Sequence, residues 1–280
     1  MKIIKFLIFY ISIIFFVSCE KHEILYNTDT VGSDIAEFQL HYFEPIVNTS
    51  ANYIDSVFVN DVLYSSVNGS GQLATYNGVP GGDVGRFFAV KAGTSNLKLY
   101  RGGSIIYDNN VTLNPGKQNI FIHDLTKEPI VIDNLFSQYK SNIIISDVAT
   151  WNTDSIATVR FYNFLYESDN TPYSGKLQYQ FKNLTTGEYE NLGKPVAFGE
   201  ATDRVPVIVH KTYFNSSGYC RVYYRILTED GTILKTMNKY GNFIDYSDWW
   251  TTYIGRAYNH ILRGYRASTP LSSVSIWTSL

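Results

Sequence analysis

Gly175-Lys176-Leu177-Gln178-Tyr179-Gln180-Phe181-Lys182 alternates polar and apolar side chains without a break. Leu177, Tyr179 and Phe181 fall on one side of an extended chain, and Lys176, Gln178, Gln180 and Lys182 on the other. Period two is the pattern of a strand with one face in a core and one in water. It recurs in both directions along the chain. Downstream, residues 218–227 place Cys220, Val222, Tyr224 and Ile226 on one face and Arg221, Tyr223 and Arg225 on the other, and Val205, Val207 and Val209 mark a further strand. Upstream, Phe38, Leu40 and Tyr42 alternate with Glu37, Gln39 and His41, which predicts a strand over 35–44 with one wet face.

Turn chemistry separates these runs. Gly102-Gly103 sits between two short apolar runs, and paired glycines suit the primed hairpin turns, whose central residues need positive φ. Asn60-Asp61, Asn114-Pro115-Gly116-Lys117, Thr185-Thr186-Gly187 and Glu229-Asp230-Gly231 mark further reversals. With 23 Tyr, 17 Phe and 20 Gly against only 2 Met, the composition also favours strands and turns over long helices. The fold class predicted is all-β. The chain has 280 residues, long enough for two ordinary domains or one large β domain, and the strands are read as two immunoglobulin-like β-sandwich domains.

The predicted organisation is a signal peptide over 1–18, a modified N-terminus and stalk over 19–32, a first β-sandwich over 33–126, an interdomain segment over 127–154 and a second β-sandwich over 155–280. The interdomain segment carries Ile130-Val131-Ile132 and Ile143-Ile144-Ile145, runs apolar enough to pack against one domain or both. A short likeness relates the halves: Phe38-Gln39-Leu40-His41-Tyr42-Phe43 opens the first much as Val159-Arg160-Phe161-Tyr162-Asn163-Phe164 opens the second. Residues 253–265 and 273–277 are apolar but weaker in period.

The first nineteen residues decide the compartment. Lys2 and Lys5 precede an apolar run over 6–17 interrupted only by Ser12, and Ser18-Cys19 follows. Twelve residues of helix at about 1.5 Å each do not cross a hydrocarbon layer of about 30 Å, so the run is a removable export signal. Phe16-Val17-Ser18-Cys19 resembles the lipobox of bacterial lipoproteins, with Phe16 standing where Leu is commonest. The resemblance implies cleavage after Ser18 and a lipid on Cys19, which becomes the acylated amino terminus, and multiple acyl chains suffice for stable anchoring.

The charged stretch Glu20-Lys21-His22-Glu23 loosely resembles the tract that sends Bacteroidota lipoproteins to the cell surface. Asp29-Thr30-Val31, Asp55-Ser56-Val57 and Asp154-Ser155-Ile156 resemble the O-glycosylation acceptor of the same bacteria. With the strand pattern, the chain resembles a family of Bacteroidota outer-membrane lipoproteins that carry tandem β-sandwich domains of unknown function. That resemblance implies an outer-membrane location with surface exposure and transfers no functional residue.

A formal net charge of −2, with no Lys/Arg run, leaves no electrostatic footprint for nucleic acid. Two cysteines exclude a disulfide framework, and Cys220, on an apolar face, reads as a small core residue. The five histidines, at 22, 41, 123, 210 and 260, are scattered and read as solvent-facing strand positions, although His41 and His123 could meet across strands. No nucleophile elbow, zinc-binding pair or phosphate loop is present, and no metal or cofactor is expected.

One cluster joins acids to aromatic rings. Asp245 and Asp248 flank Tyr246 and precede Trp249-Trp250. Indoles stack on the apolar faces of sugars while carboxylates accept hydroxyl protons, so Tyr246, Asp248, Trp249 and Trp250 form the candidate glycan-binding site. The alternative places one Trp in the core and the other over a sandwich end. Three roles fit: a non-enzymatic anchored protein binding a glycan, an envelope component or a partner protein, which is the reading adopted; a glycan hydrolase with an acid pair assembled from distant strands; or a structural subunit of a surface filament.

Overall fold

The computed structural model describes residues 34–69, 71–81, 85–135, 154–217, 219–253 and 256–279. The segments read as signal peptide and stalk, with Cys19, His22 and Asp29-Thr30-Val31, and the run Ile143-Ile144-Ile145 lie outside the described residues. Among the described residues the chain is all-β, and no helix is long and apolar enough to cross a membrane.

The first half supplies β1 (Ile35–Tyr42), β2 (Ser56–Val59), β3 (Val62–Ser66), β4 (Asn77–Val79), β5 (Phe88–Lys91), β6 (Gly93–Arg101), β7 (Ser104–Leu113), β8 (Gly116–Ile122) and β9 (Ile130–Asp133). They form an outer sheet in the order β3-β2-β6-β7 and an inner sheet in the order β4-β1-β8-β9, with β5 also on β1. Asn60 (φ 51) and Asp61 (φ 62) turn β2 into β3, and Gly102 (φ 56) and Gly103 (φ 75) turn β6 into β7, so both hairpins use the positive-φ pairs expected of them.

The second half supplies β10 (Asp154–Ser168), β11 (Thr171–Pro172), β12 (Gln178–Lys182), β13 (Tyr189–Asn191), β14 (Val205–His210), β15 (Tyr219–Leu227), β16 (Lys235–Met237), β17 (Phe243–Asp245), β18 (Ser247–Tyr253), β19 (Ala257–Tyr265) and β20 (Ser273–Thr278). Its inner sheet runs β11-β10-β19-β20 with β14 also on β10, its outer sheet runs β13-β12-β15-β18, and β16-β17 is a separate hairpin.

Apolar faces dictate how the four sheets stack. Val57, Leu97, Leu99 and Val111 of the first outer sheet bury against Phe38, Leu40, Ile120 and Ile122 of the first inner sheet. Tyr179, Val222, Tyr224 and Trp250 of the second outer sheet bury against Val159, Phe161 and Leu262 of the second inner sheet. Phe43, Tyr76 and Phe121 then meet Tyr162, Phe164 and Ile261 in a third core. The two inner sheets are therefore packed back to back, and each is covered on both sides. Ser33–Leu280 forms one compact unit.

This layering corrects two readings of the sequence. The β1 face carrying Gln39 and His41 is dry, with both residues at or near zero exposure, because the second inner sheet covers it. Nor are His41, His123 and His260 solvent-facing: all three are buried. The layering also explains the weak period of residues 253–265. In β19 both faces are inside, and a strand buried on both faces shows no alternation.

The likeness between residues 38–43 and 159–164 falls on the strands at the centre of each sandwich. β1 pairs in parallel with β8, and β10 in parallel with β19. Gln39 stands opposite Asn119, and Arg160 opposite Asn259, so the two asparagines occupy matching places. Both serve one buried network. His41 Nε2 lies 3.2 Å from Asn119 Oδ1, Asn119 Nδ2 donates to Tyr162 Oη at 3.1 Å and to Asn134 Oδ1 at 3.2 Å, and Arg204 Nη2 donates to Asn134 Oδ1 at 3.0 Å and to Asn259 Oδ1 at 2.9 Å. Polar groups in such a position are tolerated where they find partners, and each of these side chains makes at least one such bond, although His41 Nδ1 and Asn259 Nδ2 are buried without one.

β9, within the segment read as interdomain, is hydrogen-bonded to β8 as an edge strand. Val131 faces the first core, while Ile130 and Ile132 pack against the third. An apolar strand between two cores satisfies both of its faces.

Candidate functional site

The alternation that builds the second outer sheet also decides what it shows to solvent. In β15 the burial pattern follows the sequence residue by residue: Cys220, Val222, Tyr224 and Ile226 inward, Tyr219, Arg221, Tyr223 and Arg225 outward. Cys220 is free and its thiol is pushed up to about 11 by burial, so it stays protonated as a core side chain.

The four residues of the candidate glycan site are divided by this pleat. Trp250 is 1% exposed and packs its indole edge-on against His260, with ring centroids 4.9 Å apart. Tyr246 also belongs to this core, and burial pushes its phenol up to about 12. Trp249, by contrast, is 41% exposed on the outer face, and Asp248 is exposed with its Oδ1 accepting the Trp249 backbone N–H at 2.8 Å. The site as read from sequence is thus not one surface. Adjacent strand residues point opposite ways: Asp248, opposite the inward Tyr224, is exposed but shares the pleat side of Trp250, and of the four only Trp249 stands on the outer face.

What joins Trp249 on the outer face comes from the neighbouring strand. Register places Tyr223 opposite Trp249, Arg221 opposite Thr251 and Tyr219 opposite Tyr253. Tyr223 is 45% exposed, and the Arg221 guanidinium lies over the Trp249 ring, 3.8 Å from its centroid. Tyr219 and Tyr253 pair with centroids 5.7 Å apart, Arg256 lies 4.4 Å over Tyr253, and Arg225 lies 4.1 Å over Tyr189. Guanidinium groups stacked on aromatic faces hold those rings in place. Tyr223 was legible as an outward residue in the sequence, but its pairing with β18 was not, since register between distant strands leaves no local mark.

Beside this aromatic ladder lies a depression of about 560 Å³, lined in part by Gln178, Gln180, Asn191, Lys176 and Lys194. The Arg225 Nε donates to Gln180 Oε1 at 2.8 Å, and Gln180 Nε2 donates in turn to Asn191 Oδ1 at 2.7 Å, so the amides are held in line. Its size falls within the range of small-ligand sites.

Asp245, the partner of Asp248 in the sequence reading, is exposed on β17, paired with Lys235 of the β16-β17 hairpin. Among the described residues no group of three or more His, Cys, Asp or Glu side chains could hold a metal ion. His41, on β1, and His123, just past the end of β8, are both buried, yet they take different partners: His41 stacks on Phe121 with centroids 4.8 Å apart, and His123 Nδ1 lies 2.7 Å from the Tyr166 hydroxyl.

The chain matches no protein-family profile and no curated protein. Among solved structures it is similar to a leucine-rich repeat protein from Bacteroides thetaiotaomicron, at 12% identity over 83% of this chain and 26% of that one, with a TM-score of 0.20. It is similar to the Bacillus anthracis TIE protein at 7% identity over 82% of this chain and 34% of that one, TM-score 0.20. A "putative cell adhesion protein" from Bacteroides ovatus shares 10% identity over 88% of this chain and 97% of that one, TM-score 0.21. The chain thus spans about a quarter and a third of the first two. At TM-scores this low the backbones do not superpose as one fold, and the likenesses carry neither fold nor function across.

Proposed function

We propose that this chain is a non-enzymatic binding protein of the bacterial envelope, which holds carbohydrate on the outer face of its second outer sheet. The observation that carries the proposal is the exposed pair Tyr223 and Trp249, side by side on paired strands with Arg221 stacked on the indole. Large rings held rigid at a surface lose little entropy on binding, and their faces match the apolar faces of sugar rings. Tyr246 and Trp250 support the platform from below and do not touch the ligand.

Affinity electrophoresis against a panel of soluble polysaccharides tests the reading. Trp249→Ala and Tyr223→Ala each abolish or strongly reduce the retardation seen with the parent, while Tyr240→Ala, at an exposed ring on a separate hairpin, leaves it intact. Equal retardation of the parent and both platform variants would sink it.

The tether belongs to the same proposal. Cys19 carries the lipid, and the folded body is displayed from the outer membrane, facing outward. The parent partitions into detergent and is digested when intact cells meet protease, whereas Cys19→Ala is released in aqueous form. Native protein that retains Met1 would overturn the anchoring.

A further inference from the structure

The outer face of the second outer sheet is not electrically neutral, although the whole chain has 25 acidic against 23 basic residues. Lys182, Arg221 and Arg225 project from its strands, Arg256 lies over Tyr253 at its edge, and Lys176 and Lys194 line its depression. Among the described residues none of these six cations is in an ion pair: the four salt bridges are Lys98–Asp61, Lys117–Glu37, Lys127–Asp124 and Arg266–Glu167. Three carboxylates border the same region, one of them the exposed Asp248 next to Trp249. Glu190 Oε1 accepts from Asn183 Nδ2 at 2.7 Å, and Glu229 stands at the rim of the depression.

Three of the six cations are stacked on rings, as described above, which keeps their charge at the surface without neutralising it. The other side of the face offers the exposed ammonium groups of Lys176 and Lys194 around the aligned amides of Gln180 and Asn191, while the buried Gln178 Nε2 donates to backbone carbonyls. Ammonium and amide N–H donors suit an anionic oxygen, and hydrogen bonds to such an oxygen are stronger than neutral ones. Leu227, beside the depression, and Tyr223, beside Trp249, are four residues apart on β15, about 13 Å at about 3.3 Å per residue. A ligand reaching both is longer than one sugar ring, as a chain of linked sugars is.

Resting on the carbohydrate reading above, we infer that the ligand is an acidic polysaccharide: its anionic groups sit between Lys176 and Lys194 while its rings cross Tyr223 and Trp249. The anionic oxygen is that of a uronate carboxylate or a sulfate ester, which present the same chemistry to these donors.

The test measures binding of the full chain to polygalacturonate, dextran sulfate and uncharged dextran, together with the neutral members of the panel, at low and raised salt. Expected is binding to at least one charged polymer that weakens as salt rises. Lys176→Gln combined with Lys194→Gln weakens it roughly tenfold or more, a loss of about 1.4 kcal/mol. Lys91→Gln combined with Lys127→Gln, on the first sandwich, leaves it unchanged. Both substituted pairs are exposed, so matching thermal melts verify that every variant is folded. Binding to polygalacturonate alone identifies the carboxylate, to dextran sulfate alone the sulfate, and to both a site that reads charge. Binding of neutral polysaccharides only, or indifference to the Lys176/Lys194 change, overturns the acidic assignment and leaves the carbohydrate reading standing. If the parent binds no polysaccharide at all, both fall together.

Discussion

The Tyr162 hydroxyl accepts a hydrogen bond from Asn119 Nδ2 at 3.1 Å, joining the inner sheet of one sandwich to the inner sheet of the other. Asn119 is on β8 and Tyr162 on β10, and both are fully buried. The same hydroxyl lies 3.4 Å from Asn259 Oδ1. Tyr162→Phe keeps the ring and deletes only this bridge. It lowers stability by about 1–2 kcal/mol, the usual range for a buried hydrogen bond whose partners keep other contacts. Urea unfolding that shows no change in midpoint would deny the bridge any role in holding the sandwiches together.

Acid acts on the same interior. Burial lowers His41 to about 4 and His260 to about 3, against the ordinary 6.5. Both are neutral in the folded protein, and the unfolded chain takes up their protons first. Their contribution is therefore fully present above pH 6.5 and is lost as pH falls toward 4. Through the middle of that window, two protons bound only on unfolding lower stability by about 2.7 kcal/mol per pH unit. Urea midpoints measured from pH 7 to pH 4 read this slope, to which His123, also lowered by burial, adds, and His41→Gln and His260→Gln each make it shallower by one proton's share, about 1.4 kcal/mol per pH unit.

The two adjacent tryptophans separate in opposite assays. Trp250→Ala empties a core position and destabilises by about 3–5 kcal/mol. Trp249→Ala removes a half-exposed ring and changes stability by less than about 1 kcal/mol, the stack with Arg221 being at the surface. Thermal melts of the pair decide it, and comparable losses at both positions would contradict the pleat described here.

Glycine matters most at Gly264, in β19. Its φ is +86°, and a Cβ there would stand 2.7 Å from the Leu271 carbonyl oxygen. Gly264→Ala combines a left-handed backbone with a clash against main chain, and destabilises by more than about 2 kcal/mol. Gly102→Ala also sits at positive φ, yet nothing lies within 4 Å of its Cβ, and it loses only about 1–2 kcal/mol. Denaturation of both variants side by side isolates the contribution of the close approach.

How much could be read from residues alone follows from the range of each interaction. The strand of Gln178–Lys182, the inward and outward sets of β15 and the positive-φ turns at Asn60-Asp61 and Gly102-Gly103 are local, because pleat and turn geometry act within a few residues. Trp249 was visible as a candidate for the same reason. Its true neighbours were not: Tyr223 and Arg221 precede it by more than twenty positions and arrive only through the β15–β18 register.

The polar face of β1 is the sharper case. Gln39 and His41 alternate with apolar residues as any half-exposed strand does, and a strand cannot record what will cover its other side. The residues by themselves determined an all-β chain, its hairpins and the orientation of most outer-sheet side chains. Tertiary structure alone decided that the inner sheets lie back to back, that their histidines are dry, and that one tryptophan of two meets solvent. The reason is that burial is a property of contact between distant surfaces, whereas alternation is a property of one backbone.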